Sequence, residues 1–151
     1  TLVPDADNAF TSEEGWKLSD AEIVALGPII ARLKRAGARV ILFVDPDPAI
    51  VDRVAKTKAD GVEIYTGSYA HAFRHGDGSD MLVKIKALAE AAQARGLMVN
   101  AGHDLNLENI PPLMKAVPFL HEASIGHELT ADALLRGFVA TVAAYAKALE
   151  G

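Results

Sequence analysis

The chain alternates short apolar runs, rich in β-branched residues, with longer stretches of helical periodicity, and this alternation limits the folds open to it. A helix is expected over 19–36, opened by Ser19 with Glu22 three residues on and closed by Gly37, and the strand Val40-Ile41-Leu42-Phe43-Val44 follows. Asp45-Pro46-Asp47-Pro48 breaks that strand and starts a helix through Ala59. The next strand is Val62-Glu63-Ile64-Tyr65-Thr66, ended by Gly67. A polar loop is expected from Ser68 to Ser79, then an amphipathic helix over 80–95 closed by Gly96. Leu97-Met98-Val99-Asn100-Ala101 forms a further strand, with Gly102-His103-Asp104 at its C-terminal end. A helix starts near Leu107, with Pro111 and Pro112 in its first turn. The strand Glu122-Ala123-Ser124-Ile125, then Gly126-His127, lead into a last helix over 130–149.

With the fragment at Leu2-Val3, the pattern gives five strands and about five helices, without repeats or linkers. Strands joined by helices run parallel, because each crossover returns the chain to the same end of the sheet. Two α/β architectures satisfy this. A doubly wound open sheet is complete at five strands, whereas a (β/α)₈ TIM barrel needs eight strands and about 250 residues. The first residue is Thr1 rather than Met, directly before an apolar segment, which favours the barrel. On that reading residues 1–151 are the C-terminal portion of a single TIM-barrel domain, strands 4–8, and strands 1–3 lie upstream.

The formal charge of -5 argues against nucleic-acid binding, since no excess of Lys and Arg faces a phosphate backbone. A local site for a small anion is still compatible with an acidic chain. The absence of cysteine removes disulfides and thiolate ligands and suits a cytoplasmic protein. No signal peptide or membrane-spanning run is legible.

In both architectures the functional site lies at the C-terminal ends of the strands. This rule selects Thr11 and Ser12, Asp45 and Asp47, Thr66 to Tyr69, Asn100, Gly102, His103 and Asp104, and Gly126 with His127. Gly102 leaves room for a ligand to approach the backbone, and His103 can donate or accept a proton near neutral pH; the bland alternative is a structural histidine. Gly126-His127 precedes a helix, where backbone N–H groups can bind phosphate or simply make an ordinary turn. Glu63 stands inside an apolar strand, so it either points into the site or is a salt-bridged or solvent-facing residue at a sheet edge.

Other residues favour structural roles. His71 and His75 have a metal-ligand spacing, but they fall in the expected loop without a completing ligand, and no metal is expected. Asp45 and Asp47, each before a proline, read as helix caps, and His121 precedes its strand on the stability side of the sheet. Trp16 and Tyr69 are expected to pack.

Several segments resemble the pyridoxine 5′-phosphate synthase family. They are Leu2-Val3-Pro4, Thr11-Ser12-Glu13, Leu42-Phe43-Val44-Asp45, Val62 to Gly67 with Tyr69-Ala70, Val99-Asn100-Ala101-Gly102-His103 and Ile125-Gly126-His127. The resemblance implies a TIM barrel that condenses 1-deoxy-D-xylulose 5-phosphate with 3-amino-2-oxopropyl phosphate, giving pyridoxine 5′-phosphate, phosphate and water. It implies no cofactor and a homo-oligomer built from dimers. It puts the proton-donating histidine on His103, the transition-state-stabilising glutamate on Glu63, a substrate-binding threonine on Thr11, and the phosphate-binding pair on Gly126 and His127. Asp104 occupies a substrate-contacting position that is often glycine in the family. The family's other acid/base histidine and glutamate belong to the first strands, outside this chain, so residues 1–151 alone are expected to be inactive.

Two other functions fit the pattern. Another phosphate-handling barrel, an aldolase or isomerase, would use a lysine or carboxylate at a strand end, and no strand here ends in lysine. A five-stranded α/β phosphate-binding module would be non-catalytic, and the chain lacks the glycine-rich phosphate loops of such proteins.

Overall fold

The three-dimensional description rests on a computed structural model that covers residues 1–4 and 13–150. Four strands form one parallel sheet in chain order: β1 (Ile41–Val44), β2 (Gly61–Tyr65), β3 (Met98–Gly102) and β4 (Glu122–Ser124). The expected strand at Leu2-Val3 is reduced to a single parallel bridge to Leu42. Leu2 N–H donates to Ile41 O at 2.8 Å and Phe43 N–H donates to Leu2 O at 3.0 Å. Pro4 has no N–H with which to continue that ladder.

Helix α1 (Asp20–Arg35) begins with the expected capping box. Ser19 Oγ accepts from Glu22 N–H at 3.3 Å, and Glu22 Oε2 accepts from Ser19 N–H at 2.6 Å. A 3₁₀ turn (Pro48–Ile50) leads into α2 (Val51–Thr57), and Asp47 caps that turn by accepting from Ala49 N–H at 2.9 Å. Asp45 instead accepts from Gly15 N–H at 3.1 Å and pairs with Lys17 at 2.6 Å.

Between β2 and β3 the chain contains two helices, α3 (Gly67–Arg74) and α4 (Ser79–Ala94), so the polar loop expected over 68–79 is mostly helical. Tertiary packing supplies what the local pattern lacks. Tyr69 is fully buried and donates its hydroxyl to Asn109 O at 2.8 Å, while its ring meets Phe73 edge to face at 5.8 Å. Burial pushes the Tyr69 phenol up to about 12. His71 therefore lies on a helix and His75 at its C-cap, with their rings 4.4 Å apart. Among the described residues no group of three or more His, Asp or Glu side chains is placed to hold a metal ion.

Helix α5 (Ile110–Ala116) follows β3, and the last expected helix is divided into α6 (His127–Arg136) and α7 (Phe138–Leu149). Gly137, at φ 83°, makes the break. It closes α6 through its N–H to Ala133 O, and its carbonyl accepts from Thr141 N–H and Oγ1 in α7. Helical periodicity runs through this point because the residues on both sides are apolar. Leu134, Leu135, Phe138 and Val139 remain exposed around the corner. Among the described residues no helix is long and apolar enough to cross a membrane.

Side chains alternate across the sheet, and the two faces differ in chemistry. Leu42, Val44, Val62, Ile64, Val99 and Ala101 join one core with Ile30, Val54, Ile85, Leu88, Leu113 and Tyr145, contributed by α1, α2, α4, α5 and α7. Each large aliphatic side chain buried there contributes roughly 1.5–3 kcal/mol. The opposite face carries Phe43, Glu63, Tyr65, Asn100, Gly102, Glu122 and Ser124.

At the N-terminal edge of the sheet one residue ties three strands together. Asp60 accepts from Val40 N–H at 2.8 Å and from Lys34 Nζ at 2.6 Å, its N–H donates to Val40 O, and its carbonyl accepts from Met98 N–H. The hydrogen bond from Lys34 holds the Asp60 carboxyl below its ordinary value. A carboxyl lowered on folding stabilises the fold above its unfolded value of about 4, and that contribution disappears as pH falls through the folded-state value. Asp60→Ala is expected to destabilise the protein by about 1–3 kcal/mol at pH 7, because Val40 N–H loses its acceptor. In urea denaturation the difference from the parent protein should shrink at pH 3.

Candidate active site

Parallel register brings residues of four strands into two adjacent rows. Phe43, Glu63, Asn100 and Glu122 stand abreast, and Tyr65, Gly102 and Ser124 form the next row toward the C-terminal ends. Glu63 is only 6% exposed, and its Oε2 accepts the Thr1 hydroxyl at 2.6 Å. Its Oε1 lies 2.5 Å from the point where a Cβ on residue 102 would stand. The space that the sequence assigns to an approaching ligand is therefore filled by the Glu63 carboxylate. A side chain at residue 102 would evict that carboxylate.

Beyond Gly102 the strand ends abruptly. His103 and Asp104 both have positive φ, 85° and 56°, in a region that side chains other than glycine seldom occupy. This turn swings the imidazole back over the sheet, where it packs 4.9 Å from the Phe43 ring and 5.5 Å from the Tyr65 ring. Burial raises the Tyr65 phenol above its ordinary value, with the Asp104, Glu13 and Asp45 carboxylates adding to the effect. Thr66 meets the turn from the neighbouring strand. Its N–H donates to Gly102 O at 2.9 Å, and its hydroxyl lies 2.6 Å from Gly102 O and 2.7 Å from His103 O. Asn109 Nδ2 donates to Asp104 O at 3.0 Å.

Glu63, His103 and Asp104 open onto a cavity of about 350 Å³, whose far wall is formed by Ser124, Ile125, Gly126, His127 and Glu128. Gly126 is the N-cap of α6 and has no side chain to bond the first-turn N–H groups. Glu128, in that turn, pairs with Arg74 of α3 at 3.3 Å. Five of the residues selected from sequence, Glu63, His103, Asp104, Gly126 and His127, thus border one space; Thr11 lies outside the described residues.

His121 lies at the other end of β4, its Nδ1 3.4 Å from Val99 N–H, and Trp16 donates its indole N–H to Leu2 O at 2.9 Å. The sequence reading gave no role to Phe43, Tyr65, Ser124 or Glu128. The period-two pattern could have found Tyr65, which falls on the face of Glu63. Asn100 is 3% exposed, and its Oδ1 has no hydrogen-bond partner among the described residues.

The molecule is an α/β protein with a parallel sheet in which an acid, a histidine and a helix N-terminus from β2, the end of β3 and the start of α6 border one cavity. The family model described as "Pyridoxal phosphate biosynthesis protein PdxJ" matches residues 1–151, and the chain belongs to that family. Curated relatives carry the name pyridoxine 5′-phosphate synthase. The relative from Brucella anthropi is 47% identical over 151 residues, covering 99% of this chain and 61% of its own length. Those from Brucella suis and Brucella abortus are 48% identical over 155 residues, covering 100% of this chain and again 61% of their own. The chain thus spans about 61% of the length of the curated relatives that it matches.

The contact at residue 102 makes a specific prediction. Gly102→Ala is expected to destabilise the protein by about 1–3 kcal/mol through overpacking against Glu63. In a double-mutant cycle with Glu63→Ala most of that penalty should vanish, as measured by chemical denaturation. An additive result would show that the carboxylate is not the obstacle.

Proposed function

We propose that residues 1–151 form the last five βα units, strands 4–8, of a single (β/α)₈ barrel domain. Among the described residues the helices pack on one face of the sheet, whereas a doubly wound sheet carries helices on both. The polar face then corresponds to the barrel interior, and the strand ends that border the cavity correspond to its catalytic mouth.

On this reading the whole protein is a pyridoxine 5′-phosphate synthase. It condenses 1-deoxy-D-xylulose 5-phosphate with 3-amino-2-oxopropyl phosphate and releases pyridoxine 5′-phosphate, phosphate and water. The single observation that carries the reading is the convergence of Glu63, His103 and the α6 N-terminus on one cavity. Ring closure by imine formation and dehydration needs repeated proton transfers, and His103 supplies a proton donor held against two aromatic rings. Glu63, buried on the sheet, stabilises positive charge developing on nitrogen in the transition state.

Gly126 and His127 receive a substrate phosphate through the N–H groups at the start of α6. Thr11 and Asp104 contribute further substrate contacts, Asp104 from a turn that holds it at the cavity edge. The remaining acid/base groups come from the part of the relatives that lies outside this chain, and the working enzyme is a homo-oligomer built from dimers.

Turnover of the two substrates by the full-length protein, followed through formation of pyridoxine 5′-phosphate, tests the reading directly. His103→Asn is expected to lower kcat by roughly 10²–10⁴-fold, the usual contribution of a positioned acid. Glu63→Gln should cost about 10²–10³-fold in kcat, as for other preorganised electrostatic groups. Wild-type rates in both variants would remove these residues from the chemistry.

A further inference from the structure

Thr66 occupies the N-cap of α3, where a threonine hydroxyl ordinarily accepts a hydrogen bond from the first turn of its own helix. It makes no such bond. The hydroxyl instead lies between two carbonyl oxygens at the end of β3, 2.6 Å from Gly102 O and 2.7 Å from His103 O. Thr66 is fully buried, so no solvent competes for that proton. The residues thus gripped lead into two consecutive left-handed positions, His103 and Asp104. Such a conformation persists only where its surroundings hold it.

We infer that Thr66 is a positioning residue for His103: its hydroxyl, taken from helix capping, draws the Gly102 and His103 carbonyls together and fixes the turn that lays the imidazole over Phe43 and Tyr65. The inference rests on the proposed role of His103 as proton donor. Without the hydroxyl, the His103 carbonyl loses the partner that holds it, and the turn is free to relax toward ordinary φ. The ring then leaves its place above the sheet. Because the clamp acts through backbone oxygens, the methyl group of Thr66 is dispensable and the hydroxyl is not.

The test uses the full-length protein with Thr66→Val, which keeps the shape and removes the proton, and Thr66→Ser, which keeps the proton. In Thr66→Val, kcat is expected to fall by roughly 10²-fold with KM little changed, as for a misplaced catalytic group, and Thr66→Ser should restore most of the loss. A second readout does not depend on turnover. The His103 ring-proton resonances, identified by their disappearance in His103→Asn, should be displaced by the currents of the Phe43 and Tyr65 rings. They should move toward the position of a free histidine in Thr66→Val and return in Thr66→Ser. If Thr66→Val does not fold, Thr66→Ala removes the same proton with less bulk and replaces it in both measurements. Unmoved His103 resonances in the hydroxyl-free variant would overturn the inference, as would a serine variant as impaired as the valine one. Full turnover by His103→Asn would instead sink the proposed role of His103, and the resonance shift would still decide whether the clamp exists.

Discussion

The strand ends depend on the union of β2 and β3. These two strands share a five-residue parallel register, and Thr66 extends it by one more backbone hydrogen bond, to Gly102 O. In a buried sheet each unpaired N–H or carbonyl is costly, so a ladder satisfied to its last residue leaves little freedom in where it stops. The stop is what matters here. Just beyond it the chain enters the left-handed region twice and carries the imidazole back over the sheet. A histidine one residue earlier would belong to the strand, and one residue later would sit in the exposed turn.

The helices contribute rigidity in a different way. They form one apolar layer against Leu42, Val44, Val62, Ile64, Val99 and Ala101, so close packing fixes the backbone without placing any polar group in that core from the sheet. The other face carries the polar and aromatic residues Phe43, Glu63, Tyr65, Asn100, Glu122 and Ser124. A carboxylate at Glu63 and an amide at Asn100 are tolerated side by side in the same register row because they are directed away from the helical layer.

Much of this was legible in the sequence, and the exceptions have physical causes. Strands and helices were read from two incompatible periodicities, and the capping box at Ser19 and Glu22 located the start of α1 closely. Helix α3 was missed because its eight residues offer only a short apolar stripe, opened by Gly67 and interrupted by His71, and its stability comes from Tyr69 reaching Asn109, forty positions away. The break at Gly137 was missed because the hydrophobic pattern continues across it. At the site, strand-end logic selected His103, Asp104, Gly126 and His127, which border the cavity, and the misfit of an acid in an apolar strand selected Glu63, but the same logic gave Gly102 to a ligand. That one glycine serves a neighbouring side chain depends on cross-strand register, which a single strand's sequence does not contain.

The row of Phe43, Glu63, Asn100 and Glu122 has a further consequence for folding. A slip of β3 by one residue would exchange its two faces, turning Asn100 into the aliphatic layer and Ala101 toward the carboxylate. The chemistry thus acts as a proofreader of the pairing. A misaligned molecule would press that amide into the aliphatic layer and lose its glycine gap at once, so the polar row holds the sheet in its register.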